Sequence, residues 1–475
     1  MNSLWGYLIL EGYLVTLLLV PVVFFQKKKN PTSILAWIMA IVMVPYGGSL
    51  LFILFGINRV YRRVARRQAM LRQLGTQLPG LPQFEMLPIE LNPQAAPLMR
   101  LADRISGYKP CYGNEVEVID NTHRAFGLIE SAILAAEHSI HLVYYIWQPD
   151  RLGTKLRNLL IQKAKAGVKV RFLYDGFGSM RLRRRFLQPM HDAGIETAAT
   201  IPGASFRERW SFNLRNHRKI VVVDGQIGFT GGMNVGDDYM GLNPRLGFWR
   251  DTHLKLRGPV VLQLQQVFAE DWFYATGQEV IQPEYYPLPQ ATGDQIAQVV
   301  AGGPDLEAEA FHSLFFAAIN EARNRILLAT SFFVPTMGLQ LALETAAYRG
   351  VKVTLLLAGK VDIFGMLWAG RAFYEPLMEA GVEIYEYHGG LQHAKTLTID
   401  GNWSLIGTPN FDARSVQLNF EVGVALDGPK VATRLEEQFL RDLEFAHKID
   451  PVEWARRGVF PRLAEHTIRL FSPIL

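Results

Sequence analysis

An internal repeat constrains the fold of this 475-residue chain more than any other feature of its sequence. Three short patterns, Gly-Val-Lys-Val, Ala-Gly-(Ile/Val)-Glu and His-x-Lys, each occur twice and in the same order. They begin at Gly167 and Gly350, at Ala193 and Ala380, and at His217 and His393. The offsets of 183, 187 and 176 residues are too long for a solenoid, so they predict two similar domains. The proline-rich stretch 282–293 is the natural boundary, which places the domains at 111–290 and 291–475.

Both domains are predicted to be α/β, because apolar strand-like runs alternate with runs of helical spacing. The predicted strand, helix and strand lie at 140–147, 156–166 and 168–174 in the first copy and at 326–334, 339–347 and 351–357 in the second. This alternation favours a substantially parallel sheet. Two short strands follow in each copy. They are joined at Asp224-Gly225 and at Asp400-Gly401, and Asp-Gly between apolar runs predicts a β-hairpin.

The N-terminal region carries two apolar runs, 4–25 and 34–57, which together contain one charged residue, Glu11. At about 1.5 Å per residue each run exceeds the ~30 Å of a hydrocarbon core. Residues 1–58 are therefore predicted to form an anchor of two transmembrane helices. A cleaved signal peptide is the alternative for the first run. A shallow hairpin interrupted at Pro45 is the alternative for the second.

The basic character of the chain belongs to this N-terminal region. The net charge is +5, from 49 basic and 44 acidic residues, but the first 84 residues contain nine basic residues and one acidic residue. They sum to +8, which leaves −3 for the remainder. Six arginines between 59 and 72 predict a basic juxtamembrane helix, and a proline-rich linker continues to residue 110. Positive charge flanking a span favours the cytoplasmic side, so the C-terminal domains are predicted to be cytoplasmic.

The second part of the repeat reads His-x-Lys-x4-Asp followed by Gly-x-x-Asn. On a strand, residues i and i+2 face the same way, so each copy presents an imidazole beside an ammonium group. Lysine is a poor metal ligand and a good phosphate donor, which favours phosphate chemistry without a metal or cofactor. The single cysteine, Cys111, excludes a cysteine-rich zinc site. The motif residues are His217, Lys219, Asp224 and Asn234 in the first copy and His393, Lys395, Asp400 and Asn410 in the second.

Two imidazoles supply what phosphodiester exchange requires. One neutral imidazole attacks phosphorus, while the other protonates the leaving alkoxide and then deprotonates the incoming alcohol. The lysines and asparagines are predicted to bind the non-bridging oxygens. Asp224 and Asp400 belong to the catalytic motif, although their Asp-Gly turns favour a role in hairpin geometry. One His-x-Lys alone indicates nothing; two copies with matching Asp and Asn predict catalysis.

The duplicated H-x-K-x4-D…G-x-x-N pattern resembles that of the phospholipase D superfamily. Within it, the chain resembles the bacterial cardiolipin synthases, because of the N-terminal apolar segments and the sequences at 145–149, 216–219 and 470–475. The resemblance implies two phospholipase D-like domains, packed as a pseudo-twofold pair around one active site. It implies that two phosphatidylglycerol molecules give cardiolipin and glycerol through a phosphohistidine. His217 would be the nucleophile and His393 the acid and base.

The resemblance also implies a carboxylate that orients each imidazole. Glu421 lies 28 residues after His393, where the family places such a group, and Asp251 is the corresponding residue for His217. Gly232 departs from the family pattern, which often has serine there.

Other functions use the same motif. A membrane-bound phospholipase D would hydrolyse phospholipids at the same site, an endonuclease would cut DNA, and a scaffold would only bind lipid. The charge of −3 on residues 85–475 argues against a nucleic-acid partner. The expected partners are phosphatidylglycerol and other anionic phospholipids, at the inner membrane of a bacterial cell, and oligomerisation is left open. Arginines at 181–185 are either a lipid-attracting cluster or a solvated face, and 363–368 either contacts the membrane interface or packs in the core.

Overall fold

The computed structural model describes residues 2–25, 31–56, 89–200, 214–304, 306, 308–361 and 365–470. These residues fall into two compact units, one formed mainly by 2–56 and the other by 89–200 and 215–470. The arginines of the predicted juxtamembrane helix, 59–72, lie outside the described residues.

The N-terminal unit is helical. It consists of α1 (Asn2–Phe24), α2 (Pro31–Met43) and α3 (Pro45–Leu51), followed by a π-helical turn at Phe52–Gly56. The second apolar run is thus broken before Pro45, where proline removes a helical hydrogen bond. Within the described ranges, none of the helices combines the length and the apolar character that crossing a membrane requires. The two transmembrane spans stay a prediction.

The larger unit contains both copies of the repeat. In the first half the strands are β1 (Cys111–Ile119), β2 (Ser139–Tyr144), β3 (Lys169–Asp175), β4 (Glu196–Thr200), β5 (Arg215–Asn216), β6 (Ile220–Val223), β7 (Ile227–Gly231), β8 (Trp249–Arg250) and β9 (His253–Arg257). The helices are α4 (Ala95–Ser106), α5 (Thr122–Ala135), α6 (Arg151–Lys165), α7 (Arg184–Asp192) and α8 (Val260–Thr276).

The second half repeats this order with small differences. Its strands are β10 (Gln295–Gly302), β11 (Arg325–Thr330), β12 (Phe333–Val334), β13 (Lys352–Ala358), β14 (Glu383–Tyr387), β15 (Leu391–Gln392), β16 (Thr396–Ile399), β17 (Trp403–Gly407), β18 (Phe411–Asp412), β19 (Asn419–Asp427) and β20 (Ala446–Lys448). Its helices are α9 (Ala310–Glu321), α10 (Met337–Tyr348), α11 (Met366–Arg371), α12 (Tyr374–Glu379), α13 (Ala413–Gln417), α14 (Pro429–Leu443), α15 (Pro451–Ala455) and α16 (Val459–Arg469).

One sheet runs through both halves in the order β20-β14-β13-β11-β16-β17-β19-β10-β1-β9-β7-β6-β2-β3-β4. Apart from the edge strand β20, each strand on one side of the central antiparallel pair of β1 and β10 has a counterpart from the other copy at the same position on the other side. The predicted α/β class is confirmed. The prediction of a substantially parallel sheet is only partly right, because parallel pairing joins β2, β3 and β4 in one half and β11, β13 and β14 in the other. The hairpins and the central strands pair antiparallel.

Helix α4 lies in a segment for which the sequence predicts only a linker. Its apolar residues recur at helical spacing, at Ala95, Leu98, Met99 and Ala102, and all four are buried against the core of the second half. Just before this helix, the backbone N–H of Asn92 donates a hydrogen bond to the Asp427 carboxylate. The prolines of this region signal turns, whereas the apolar period that follows them decides that 95–106 folds.

Candidate active site

Each histidine of the repeated motif is held by the backbone of the other half. His217 follows β5, which pairs in parallel with β19, and its backbone N–H donates to the carbonyl of Phe420 over 2.9 Å. His393 follows β15, which pairs in parallel with β8, and its N–H donates to the carbonyl of Arg250 over 2.7 Å. These two exchanged strand pairs bring both motifs to the seam between the halves.

The carboxylates are exchanged in the same way. Nδ1 of His217 lies 2.9 Å from a carboxylate oxygen of Glu421, and Nδ1 of His393 lies 2.7 Å from one of Asp251. The sequence analysis identified these two carboxylates but paired each with the histidine of its own half, and that pairing is wrong. The reason is the strand order: Glu421 is on β19, beside β5, and Asp251 directly follows β8, beside β15. A carboxylate on Nδ1 leaves Nε2 of each ring for the substrate.

The surroundings of the two carboxylates differ. Glu421 also accepts hydrogen bonds from the Thr408 hydroxyl over 2.5 Å and from the Asn419 amide over 3.1 Å. Asp251 accepts from the backbone N–H of Thr252 over 2.8 Å. Gly232 occupies the position that corresponds to Thr408, and a Cβ there would lie 2.1 Å from a carboxylate oxygen of Asp251. The glycine therefore makes room for the Asp251 side chain.

Both lysines are buried beside their histidines. Lys219 Nζ donates to the carbonyl of His217 over 2.6 Å and lies 5.3 Å from the centre of the Tyr145 ring. Lys395 Nζ donates to Ser331 Oγ over 2.9 Å and to the carbonyl of His393. Burial, which disfavours an uncompensated charge, lowers the pKa of Lys219 well below its usual value. An anion bound here would restore that pKa and would itself be stabilised.

Burial also keeps both imidazoles neutral near pH 7. It lowers the pKa of His217 to about 4, against the opposing effect of Glu421, and it lowers the pKa of His393 to about 3. The charge of Lys395 contributes to the depressed pKa of His217, and that of Lys219 contributes to the depressed pKa of His393. Each histidine thus feels the lysine of the other motif, as expected of one shared site.

The carboxylates of Asp224 and Asp400 form hydrogen bonds that hold their β-hairpins in place. The Asp224 carboxylate accepts the backbone N–H groups of residues 137, 138 and 139 over 2.7 to 2.8 Å. The Asp400 carboxylate accepts those of residues 323, 324 and 325 over the same range. Both have positive φ, 52° and 51°, as the Asp-Gly turns require. These hydrogen bonds tie each hairpin to the start of the neighbouring strand, β2 or β11, and they match the structural interpretation of the two aspartates.

The two asparagines are not equivalent. Asn234 accepts from the backbone N–H of Ile146 over 3.1 Å and donates to the Tyr239 hydroxyl over 3.2 Å. The side-chain oxygen of Asn410 is buried and has no hydrogen-bond partner. A buried amide atom without a partner is costly unless a ligand satisfies it.

Comparison with known proteins agrees with this geometry. A family model described as cardiolipin synthase, PLD-like domain, matches residues 129–272 and 315–443, which is more than half of the chain. A second, described as phospholipase D-nuclease N-terminal, matches residues 14–56. The chain is 39% identical to cardiolipin synthase 2 of Bacillus cereus, with 98% of this chain and 91% of the relative covered. It is 38% identical to the cardiolipin synthase of Geobacillus kaustophilus, with 97% and 92% covered.

This chain belongs to the bacterial cardiolipin synthases of the phospholipase D superfamily. It is a phosphatidyltransferase that synthesises cardiolipin, and the hydrolytic alternative is not favoured. The fold resembles that of the phosphatidylserine synthase of Haemophilus influenzae, with a TM-score of 0.61 and 12% identity over 80% of this chain and 98% of that chain. Each of the two stretches matched by the cardiolipin synthase model contains the histidine of one His-x-Lys motif and one of the exchanged carboxylates.

Several buried groups that shape this cardiolipin synthase site were missed by the sequence analysis. Arg218, the middle residue of the first His-x-Lys, donates to Asp271 over 2.5 Å and to the carbonyls of Glu421 and Gly302 over 3.1 and 3.0 Å. It thereby ties the first motif to the second half. The second motif has Ala394 at this position. Its neighbours in the chain, His217 and Lys219, are polar, so the local sequence gave no signal that Arg218 has a buried partner.

Arg250 has a similar role on the other side of the seam. Its guanidinium pairs with Asp442 over 2.7 to 2.9 Å and donates to the carbonyl of Asp251, which places the orienting carboxylate. Asp442 lies 192 residues away in the chain, so no local pattern could have identified the pair.

Tyr145 lines the site beside the first motif. Its ring lies edge-on to His217, with centroids 4.8 Å apart. Trp249 contacts the other imidazole at 5.2 Å. Among the described residues, no group of three or more His, Cys, Asp or Glu side chains is arranged to hold a metal ion.

Proposed function

We propose that this enzyme transfers a phosphatidyl group from one phosphatidylglycerol to another through a phosphohistidine on His217. The main support for this proposal is the exchange of the carboxylates between the halves. Each half supplies the carboxylate that orients the imidazole of the other half, so neither half alone has an oriented histidine. The proposed reaction has two steps, and both use the same pair of histidines.

In the first step, Nε2 of His217 forms a bond to the phosphorus of the donor phosphatidylglycerol. The bond from phosphorus to the glycerol oxygen breaks, and His393 supplies the proton with which glycerol leaves. In the second step, His393 removes a proton from a glycerol hydroxyl of the acceptor phosphatidylglycerol. That oxygen attacks phosphorus, the bond to His217 breaks, and cardiolipin is released. Charge and protons balance over the two steps, since glycerol carries away one proton and the acceptor returns one.

The surroundings of Glu421 support His217 as the nucleophile. Its carboxylate receives hydrogen bonds from His217, Thr408 and Asn419, so it is held firmly and retains its negative charge. A fixed carboxylate on Nδ1 keeps the proton there, which leaves the lone pair of Nε2 available for attack. Burial keeps the ring neutral, with a pKa of about 4, so most molecules are ready to react near pH 7.

The proposed phosphate contacts are the two buried ammonium groups and the side-chain NH2 groups of Asn234 and Asn410, which can donate to the non-bridging oxygens. Lys219 and Lys395 are less than 5% exposed, so their charges are weakly screened and act strongly on a phosphate between them. The negative charge of the bound phosphodiester would raise the pKa of His393, which rests at about 3, and so help it to carry the proton.

The N-terminal unit supports attachment to the bacterial inner membrane, with the catalytic unit on the cytoplasmic side. Large apolar side chains are exposed along it, among them Leu17 at 71%, Leu18 at 73%, Phe25 at 85% and Met43 at 74%. An aqueous surface does not tolerate such a concentration, whereas a bilayer accommodates it. Confinement to a membrane surface concentrates the acceptor lipid and favours transfer over hydrolysis.

The test is product analysis with phosphatidylglycerol as the only lipid. Cardiolipin and glycerol in equal amounts support the proposal, and phosphatidic acid as the main product overturns it. His217→Ala should abolish covalent phosphatidyl labelling of the protein. The matched control is His123→Ala, since His123 is an exposed histidine on α5. Labelling that survives in His217→Ala would transfer the nucleophile role to His393.

A further inference from the structure

Helix α16 presents apolar side chains to the solvent. Phe460 is 85% exposed, Leu463 60% and Leu470 78%. Phe460, Leu463 and Leu470 lie on one face of the helix, with Thr467 between the last two. Val459, 77% exposed, extends this face at the N-terminal end. We name Val459, Phe460, Leu463 and Leu470 the α16 stripe.

The opposite face of α16 buries charge. Glu465 is 3% exposed and accepts two hydrogen bonds from Arg457, over 2.6 and 3.0 Å. A surface helix of a soluble protein normally turns its apolar residues inward and its charges outward. Here Ile468 packs against the core, but larger apolar side chains face the solvent while Glu465 is buried. The buried ion pair holds this orientation, because turning the helix would separate the Glu465 charge from its partner.

Helix α11 packs against α16. The two helices pack closely, since a Cβ on Gly365 would lie 3.4 Å from the Ile468 side chain. Trp368 on α11 is 40% exposed. It belongs to the apolar segment 363–368, whose described part is thus partly exposed rather than fully buried in the core. An exposed tryptophan next to an apolar helix face is typical of proteins that reach the interface of a bilayer.

A short chain of contacts connects this surface to the active site. Gly370 on α11 lies against the backbone of Phe333, where an added Cβ would be 2.8 Å from the carbonyl oxygen. The Phe333 ring stacks on Phe411 with centroids 5.8 Å apart, and Phe411 directly follows Asn410. Ser331, two residues before Phe333, binds Lys395. Helix α11, against which α16 packs, therefore borders the end of the sheet at which the phosphate chemistry takes place.

The charge beside the α16 stripe favours an anionic partner. Residues 451–470 contain four arginines and two glutamates, a net charge of +2, of which +1 is left because Arg462 pairs with Glu375 on α12. Arginines next to exposed apolar side chains match a bilayer of anionic lipid, because the side chains enter the acyl region while the guanidinium groups stay among the headgroups.

We propose that the α16 stripe and Trp368 insert into the interface of an anionic bilayer and hold the active site against the lipid surface. This inference rests on the proposed function only in taking a membrane lipid as substrate. It adds a second membrane contact, on the catalytic unit, to the contact proposed for the N-terminal helices. The consequence is that the donor phosphatidylglycerol has only a short distance to move out of the bilayer before its phosphate reaches the histidines.

The direct test uses a cysteine at position 460 in the full-length protein. The one native cysteine, Cys111, is buried, and burial raises its pKa to about 12, so thiol reagents will spare it. Phe460→Cys is labelled with the environment-sensitive dye NBD, and the protein is mixed with vesicles of phosphatidylglycerol and phosphatidylcholine. We expect a blue-shifted, brighter emission that lipids carrying a nitroxide on the acyl chain quench.

Leu288→Cys is the matched control. Leu288 is 76% exposed and follows Pro287, which lies beside the Asp224-Gly225 turn, at the end of β6 remote from His217. A label there should not respond to vesicles. A label at position 460 that shows no blue shift or quenching with anionic vesicles would overturn the proposal. Emission that is already blue-shifted without lipid would also overturn it, because residues 471–475 or a second copy would then cover the α16 stripe.

A second measurement keeps membrane contact separate from catalysis. The double variant Phe460→Gln, Leu463→Gln should lose about tenfold or more of its turnover on phosphatidylglycerol vesicles. Its turnover on a short-chain phosphatidylglycerol dissolved as monomers should stay within about twofold of wild type. Equal losses on both substrates would indicate misfolding or a catalytic effect and would contradict the proposal. If the wild-type protein forms no cardiolipin, the proposed function fails, and the NBD response still decides the membrane contact.

Discussion

The exchanged carboxylates can be tested with one conservative substitution, Glu421→Gln. The carboxylate is fully buried and lies 2.9 Å from Nδ1 of His217. The substitution keeps the shape of the side chain and removes its charge. Glutamine can also turn its NH2 group towards Nδ1, which would move the imidazole proton to Nε2 and block the nucleophilic atom.

The expected loss follows from two contributions. A hydrogen bond to a charged group contributes about 1.5 to 3 kcal/mol, which corresponds to a roughly 10- to 150-fold change in rate. Loss of the correct tautomer adds to this, and in a serine protease triad the equivalent change costs about 10⁴ in kcat. We therefore expect Glu421→Gln to form the phosphohistidine about 10²- to 10⁴-fold more slowly than wild type.

The assay compares Glu421→Gln with Asp251→Asn on a phosphatidyl donor whose leaving group is an acidic phenol. Such a group leaves without a proton, so the first step depends on His217 alone. Glu421→Gln should then be slow to release phenol. Asp251→Asn should release one equivalent of phenol quickly and accumulate labelled protein, because its weakened His393 cannot activate the acceptor.

The opposite pattern would refute this reasoning. If Asp251→Asn were slow to release phenol and Glu421→Gln accumulated labelled protein, the nucleophile would be His393, or each carboxylate would serve the histidine of its own half. Combining each substitution with His217→Ala would separate these two cases, because only in the first would the label then appear on His393.

Three further predictions concern the aspartate turns, the glycine beside Asp251 and the pH dependence of stability. Asp224→Asn should lower the free energy of unfolding, measured with urea, by about 2 kcal/mol, because this carboxylate accepts hydrogen bonds from three backbone N–H groups. The activity per folded molecule should change less than about tenfold, because the carboxylate does not contact the substrate. A full loss of activity in well-folded protein would contradict the structural role. Gly232→Ser should lower kcat at least about tenfold, because the added Cβ would displace Asp251 from His393. The control Thr408→Ser keeps the hydroxyl that binds Glu421 and should change kcat little. A Gly232→Ser enzyme with wild-type kcat would contradict the steric role of this glycine. Burial lowers the pKa of His141 to about 3 in the folded protein, whereas in the unfolded chain the imidazole binds a proton near pH 6.5. The stability that neutral His141 provides is therefore present above pH 6.5 and is lost at ~1.4 kcal/mol per pH unit as the pH falls towards 3. His141→Gln should make the urea midpoint fall less steeply between pH 6.5 and 4, and an unchanged slope would exclude this contribution.

Some properties of the site were readable from the sequence because they are local. The His-x-Lys pairs share a strand face, so their spacing alone predicts that each imidazole has a neighbouring ammonium group. The Asp-Gly dipeptides predicted both hairpins, because only a few residues adopt the positive φ of such turns. The repeat predicted two similar halves, and the strand order is nearly symmetric about the central pair of β1 and β10.

The tertiary structure decided what depends on residues far apart in the chain. His217 and Glu421 are 204 residues apart, and His393 and Asp251 are 142 apart. Which carboxylate serves which imidazole is set by the parallel pairs of β5 with β19 and β8 with β15, and two-residue strands carry too little pattern to be predicted. The outward apolar face of α16 was hidden for the same reason, because the buried Arg457–Glu465 pair that turns the helix is defined only once the chain has folded.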